Sequence, residues 1–194
     1  GEKIRTIMAS TAEEQVKVKL ALEQTGADGV GLFRTEFQFL VSETLPRLDD
    51  QVQLYRRVLD KAPGKPVIFR TLDLGGDKVL PALNLQREEN PALGWRSIRF
   101  ALDHRGLFRR QLRALIRAAG ENPLTVMFPM VSEPWEFDAG KQVFEDQLRF
   151  LRERRKLVPE TIEYGCMLEV PALADVLDIL APKLSFISVG TNDL

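Results

Sequence analysis

Arg34, Arg70 and Glu169 each stand at the end of a short run of β-branched or aromatic residues, and Asn192 and Asp193 follow directly on another such run. Arg96 lies in the long segment that comes after Arg70. A guanidinium is a planar fork that grips phosphate or carboxylate in pairs, so several arginines converging on one place select a small, strongly anionic substrate. Carboxylates from neighbouring strands, here Glu169 and Asp193, suit a hard cation. Mg2+ takes one or two of them, keeps several waters and completes its shell with substrate oxygens. The chemistry such groups would serve is a phosphate ester held by arginines against Mg2+. It would undergo phosphoryl transfer or reaction at a carbon next to a carboxylate, since both build charge that arginine and metal stabilise.

Each residue also has a purely structural reading. A strand-end arginine can sit in a surface ion pair, Asp73 and Asp77 can serve turns, and Lys78 can be solvated. Glu169, ahead of Val170 and Pro171, can favour the positive end of a helix, and Asn192 or Asp193 can cap one. His104, the single histidine, reads as a helix-start residue, and Cys166, the single cysteine, as a small buried hydrophobe inside a strand. What separates the two readings is convergence: charged groups at the same end of successive strands form a site, and scattered ones do not.

The elements that must position these groups are readable from apolar spacing. Strand-like runs occupy residues 4–9, 29–33, 66–70, 124–129, 162–169 and 184–189, and amphipathic runs predict helices over 11–24, 48–62, 106–119, 134–157 and 172–180. In the first helix Val16, Val18, Leu20 and Ala21 are expected to face inward; in the second, Val52, Leu54, Tyr55, Val58 and Leu59. Strands alternating with helices imply an α/β protein with a parallel sheet, and near-continuous apolar strands imply that both sheet faces are covered. An open doubly wound sheet and a closed barrel both satisfy this. Arg34, Arg70, Pro129, Glu169 and Asn192 each close a different strand at its C-terminal tip, where a barrel gathers them at one mouth. The expected fold is a (β/α)8 TIM-type barrel truncated after about the sixth strand, with residues 1–194 forming one domain incomplete at its C-terminus. Residues 72–103 make a loop too long for a simple βα turn, with Gly75, Gly76, Gly94, Pro81 and Pro91 as ordered turns. The basic patch at 152–156 reads as the solvated end of a long helix.

Bulk composition narrows the partners. No run approaches the roughly 18 consecutive apolar residues of a spanning helix, and the start of the chain lacks the order of a signal peptide. A single cysteine cannot close an internal disulfide, which fits a reducing, cytoplasmic setting. A formal net charge of −1 argues against a broad nucleic-acid surface. Any cationic site must be local.

Read as words, the motifs go further. "GADGVGLFRTEFQFL" (26–40), "RTLDLGGDKVLP" (70–81), "EENPALGWRSIR" (88–99), "MFPMVS" (127–132), "LEVPA" (168–172) and "SVGTNDL" (188–194) resemble, in order, the C-terminal barrel of the phosphoenolpyruvate-utilising enzymes. Within that group they look most like the Enzyme I family of the bacterial phosphotransferase system, with wording nearer its nitrogen-regulatory branch. The resemblance implies that Arg34 and Arg70 bind the phosphate of phosphoenolpyruvate, that Arg96 supports the anion, that Glu169 and Asp193 ligate Mg2+, and that Asn192 and Asp193 contact substrate. It implies a phosphoryl group passed to a histidine on a separate domain and then to a phosphocarrier protein, with release of pyruvate, and a homodimer formed through the barrel of a longer parent. His104 does not sit in the family's phosphoacceptor motif, and Cys166 does not match its proton-donating cysteine. The expected consequence is no complete phosphotransferase cycle from this chain alone. Pyruvate phosphate dikinase, phosphoenolpyruvate synthase and a non-catalytic phosphoenolpyruvate-binding or dimerisation fragment are the competing readings.

Overall fold

Short apolar runs joined by amphipathic crossovers pair in parallel, because each crossover returns the chain to the same end of the sheet. The computed structural model, which describes residues 6–9, 17–40, 44–75 and 95–191, has this arrangement. Six parallel strands, β1 (Thr6–Ala9), β2 (Gly29–Arg34), β3 (Val67–Arg70), β4 (Leu124–Phe128), β5 (Ile162–Leu168) and β6 (Phe186–Val189), lie side by side in chain order. They form the curled half-barrel of a TIM-type fold.

The helices among the described residues are α1 (Val18–Thr25), α2 (Phe37–Leu40), α3 (Leu48–Lys61), α4 (Ile98–Asp103), α5 (Arg105–Ala119), α6 (Pro134–Glu153), α7 (Pro171–Asp175) and α8 (Leu177–Leu180). In the outer layer α3 packs on α5, and α5 on α6. The aromatic seam between helices and sheet fixes which way each strand residue points. Phe69 of β3 meets Phe33 of β2 and Tyr55 of α3 edge-on at 5.4 and 5.6 Å. Phe128 of β4 meets Phe137 of α6 at 5.6 Å, and Tyr164 of β5 meets Phe144 of α6 at 5.3 Å. Side chains alternate along a strand, so Arg34 and Arg70, one residue further on, turn to the barrel interior. They are register partners, Arg34 beside Arg70.

Several expected features differ in detail. In α1 the buried residues are Val18 and Leu22, whereas Leu20 is 47% exposed; positions four apart share a helix face, and position 20 falls on the other side. Val16 lies outside the described residues. Helix α6 stops at Glu153 instead of continuing to 157, because Arg155 takes φ 53° and the Lys156 N–H bonds back to the Leu151 carbonyl at 3.0 Å. That is a left-handed closure that satisfies the last carbonyls. The helix expected over 172–180 is two short pieces, broken at Val176 (φ −120°, ψ 16°). Coverage of both sheet faces holds for β4, buried at all five positions, but not at the outer strands: Met8 is 63% and Val189 59% exposed. Among the described residues no helix is long and apolar enough to cross a membrane.

The turn from β4 into α6 is held by Glu136. Its carboxylate, 2% exposed, accepts the Ser132 and Glu133 N–H groups at 2.7 and 3.1 Å, the Ser132 hydroxyl at 2.9 Å and the Arg99 Nε–H at 2.7 Å. Burial works against ionisation, but the Arg99 hydrogen bond and those from Ser132 and Glu133 outweigh it and hold this carboxyl below the usual glutamate range.

Two expectations follow from this packing. A Cβ on Gly165 would lie 2.5 Å from the Phe186 ring, so Gly165→Ala is expected to lower unfolding stability by about 1–3 kcal/mol; an unchanged denaturant midpoint would contradict the packing. A depressed folded-state pKa contributes stability that is present above the unfolded-state value, about 4.3 for glutamate, and is lost as pH falls through the folded value. Glu136→Gln should therefore cost about 1–3 kcal/mol near neutrality, with the gap to wild type closing in acid below the ordinary glutamate range. Urea titrations across pH would measure both.

Candidate anion site at the strand tips

Arg70 is the centre of the mouth and is 3% exposed. Its Nη2 donates to Glu36 Oε1 and, at 3.0 Å, to Asp73 Oδ2; Nη1 lies 3.6 Å from the Met167 sulfur on β5. Its Nε is buried and finds no acceptor among the described residues. The same Glu36 oxygen stands 3.4 Å from Nε of Arg34, whose side chain is 36% exposed. One carboxylate thus joins the two arginines that close β2 and β3.

Asp73, 1% exposed, plays the matching part on the other side. Arg96 grips it with both prongs, Nε to Oδ1 at 3.0 Å and Nη2 to Oδ2 at 3.2 Å, and the Ser97 hydroxyl donates to Oδ1. Such a fork is the strong, geometrically defined form of an arginine–carboxylate contact. It forms because residues 95–97 return to the β3 exit: Gly75 and Arg96 share an isolated antiparallel bridge, and the Ser97 N–H bonds to the Leu74 carbonyl at 2.7 Å. Gly75 has φ +98°, and a Cβ there would lie 2.3 Å from the Trp95 carbonyl oxygen, so only glycine allows this approach.

Glu169 sits at the tip of the fifth strand, 3% exposed, and its Oε1 accepts the Met130 N–H at 2.7 Å. Met130 has φ 53°, and that left-handed turn is what aims its N–H at the carboxylate. Burial and the charge of Glu169 push the Cys166 thiol up to about 12. It stays protonated and packs as a buried hydrophobe. His104 is also structural: its ring stacks on Phe100 at 4.2 Å, with Nδ1 3.1 Å from the Phe100 carbonyl oxygen.

The structure therefore brings Arg34, Arg70 and Arg96 into one network at the exits of β2 and β3 and puts Glu169 at the tip of β5, two strands on from β3. Asn192, Asp193, Asp77 and Lys78 lie outside the described residues. Spacing along the chain reads Asp73 as a turn residue and assigns Glu36 and Ser97 no role. The available signal was position: Glu36 and Asp73 each follow a strand-end arginine by two or three residues, and Asp73 is bracketed by Leu72 and Leu74, whereas Ser97 offers no such signal. Among the described residues no group of three His, Cys, Asp or Glu side chains could hold a metal. A hard cation that keeps its waters and takes one or two carboxylates does not need such a group. Chemically, the mouth offers oriented guanidiniums to an anion and a hard oxygen donor beside them.

Comparison with known proteins agrees with this geometry. Residues 2–194 match the model of the family described as PEP-utilising enzyme, PEP-binding domain. Curated relatives include the phosphoenolpyruvate-protein phosphotransferases of Priestia megaterium (46% identical over 177 residues, 91% of this chain and 31% of that protein), Lactococcus lactis subsp. cremoris (45% over 175 residues, 89% and 30%) and Staphylococcus carnosus (45% over 171 residues, 88% and 30%). The chain spans about a third of the length of these relatives. A family match over nearly the whole chain, joined to a half-barrel whose arginines gather at the strand tips, leaves one assignment: the chain belongs to the PEP-utilising enzyme family.

Proposed function

We propose that this chain is the phosphoenolpyruvate-binding part of a cytoplasmic phosphoenolpyruvate-protein phosphotransferase. The observation that carries the reading is Arg70: a guanidinium buried at 3% exposure, fixed through Nη2 by two carboxylates, with an Nε–H that has no acceptor among the described residues. A buried donor without a partner is costly, and an incoming phosphate oxygen would remove that cost. Arg34, in register with Arg70 and more exposed, is placed to take a second phosphate oxygen, and Arg96 adds positive charge from the other side of Asp73.

In the proposed reaction the phosphoryl group passes in line to a histidine nitrogen on a separate domain, then to a phosphocarrier protein. The N–P bond forms as the P–O bond to the enol oxygen breaks. The departing enolate takes up a proton at carbon and leaves as pyruvate. Arg34 and Arg70 neutralise the transferring phosphoryl group, and a network already fixed before binding requires little reorganisation when charge moves. Glu169 and Asp193, with Asn192 beside them, would hold Mg2+ and the substrate end that carries the leaving oxygen. When bound, Mg2+ would supply charge stabilisation to the enolate. The buried, backbone-anchored Glu169 fits that role as a hard oxygen donor. Assembly through the barrel as a homodimer belongs to the same proposal.

Calorimetric titration of phosphoenolpyruvate into the chain, with and without Mg2+, tests the reading. Binding is expected to depend on Mg2+ and to fall at least about tenfold in Arg34→Ala, whose half-exposed side chain can be removed without unfolding the protein. Arg70→Lys keeps the charge, loses the fork, and should weaken binding similarly. A folded wild-type chain with no affinity, or Arg34→Ala and Arg70→Lys binding as wild type does, would overturn it.

A further inference from the structure

One buried polar side chain in the helical layer is not used by the anion site and does not belong to a cap. Gln111 lies in the middle of α5, fully buried, on the face that carries Phe108, Leu112 and Leu115. Its amide reaches the exits of two strands at once. Oε1 accepts the Leu72 N–H at 3.1 Å, just past β3, and Nε2 donates to the Thr35 hydroxyl at 2.7 Å, just past β2. The Thr35 hydroxyl in turn donates to the Arg70 carbonyl at 2.7 Å. The Tyr55 hydroxyl, which accepts from Gln38 at 2.6 Å, is within hydrogen-bonding reach of Gln111 and Thr35 as well.

Leu72 and Thr35 each neighbour a residue of the arginine pair closely: Thr35 follows Arg34 directly, and Leu72 is two residues beyond Arg70. The β2–β3 ladder ends at the register pair of Arg34 and Arg70, and past that pair no strand pairing holds the two exits at a set distance. A helix amide that donates to one exit and accepts from the other does hold it. A glutamine at this helical phase is otherwise costly, since an apolar residue would fill the space without burying four polar valences.

We propose that Gln111 is a positioning residue for the anion site, a cross-tie from the helical layer that fixes the strand exits just beyond Arg34 and Arg70 and so aims the two guanidiniums. This rests on the reading of those arginines as phosphate ligands. The role is not catalytic, because Gln111 acts only through Thr35 and Leu72. Methionine at this position keeps the length and loses both hydrogen bonds; glutamate keeps the acceptor for Leu72 and loses the donor to Thr35.

The test compares Gln111→Met, Gln111→Glu and Thr35→Val with Phe108→Leu, a core change on the same helix that leaves the tie intact. Phosphoenolpyruvate affinity is measured with Mg2+, together with the NMR signals of the Arg34 and Arg70 Nε–H groups and the melting temperature. The three tie variants are expected to lose about tenfold in affinity, as small misplacements of binding groups do, and to shift or broaden the two arginine signals. Phe108→Leu should lower the melting temperature with affinity and signals at wild-type values. Tie variants that keep wild-type signals and affinity, or an equal loss in Phe108→Leu, would overturn the proposal. If the wild-type chain does not bind phosphoenolpyruvate, the functional reading fails, and the arginine signals alone decide the tie. Should Gln111→Met not fold, Thr35→Val and Gln111→Glu carry the same decision.

Discussion

The burial of the Arg70 guanidinium constrains everything around it. Removing such an ion from water costs several kcal/mol unless its charge and donors are met, and here both Glu36 and Asp73 are brought to the same nitrogen. Neither carboxylate arrives by regular secondary structure. Glu36 comes from the turn that follows β2, and Asp73 from the chain leaving β3. Asp73 is itself held by Arg96 and Ser97 from a segment more than twenty residues away in sequence. The unusual backbone near the mouth follows from that requirement. Gly75 at φ +98° and Ser97 at φ 56° are what allow the two segments to touch, and backbone strain of this kind persists only where surrounding contacts over-determine it.

The same short strand carries both the core and the site. In β3, Phe69 faces the helices and packs between Phe33 and Tyr55, while Arg70 faces inward. A one-residue slip would exchange them, placing a guanidinium in an aromatic seam and a phenyl ring among carboxylates. Hydrophobic packing on one face therefore secures the register of charge on the other. Among the described residues the network contains three guanidiniums and two carboxylates, a local balance that favours an anionic guest, while the overall chain stays near neutral at −1. In a low-dielectric setting, local excess charge can attract a small anion without a broad cationic surface.

Much of this was legible in the residues. The six strands and their order, the inward face of α3, and the strand-tip placement of Arg34, Arg70 and Glu169 all follow from apolar period and from what ends each run. Helix α2 was not legible, because four residues make barely one turn and show no period. Nor was the break at Val176, where the apolar pattern continues across both pieces. The partners of the arginines were hidden for a different reason: Glu36, Asp73 and Ser97 act through contacts between segments distant in sequence, and spacing along the chain does not encode them. Gln111 left a trace, a polar residue at a buried helical phase, though what it binds depends on two strand exits that only the fold brings together.

The central claim is that Arg70 is fixed in advance, with its Nε–H kept for substrate. A crystal structure of the chain grown with phosphoenolpyruvate and Mg2+ tests it most directly. The expected result is a phosphate oxygen within hydrogen-bond distance of Arg70 Nε and of Arg34, with Glu36 and Asp73 still holding Arg70 Nη2. An ordered chain with the anion bound elsewhere and Arg70 Nε still unpaired would contradict the account.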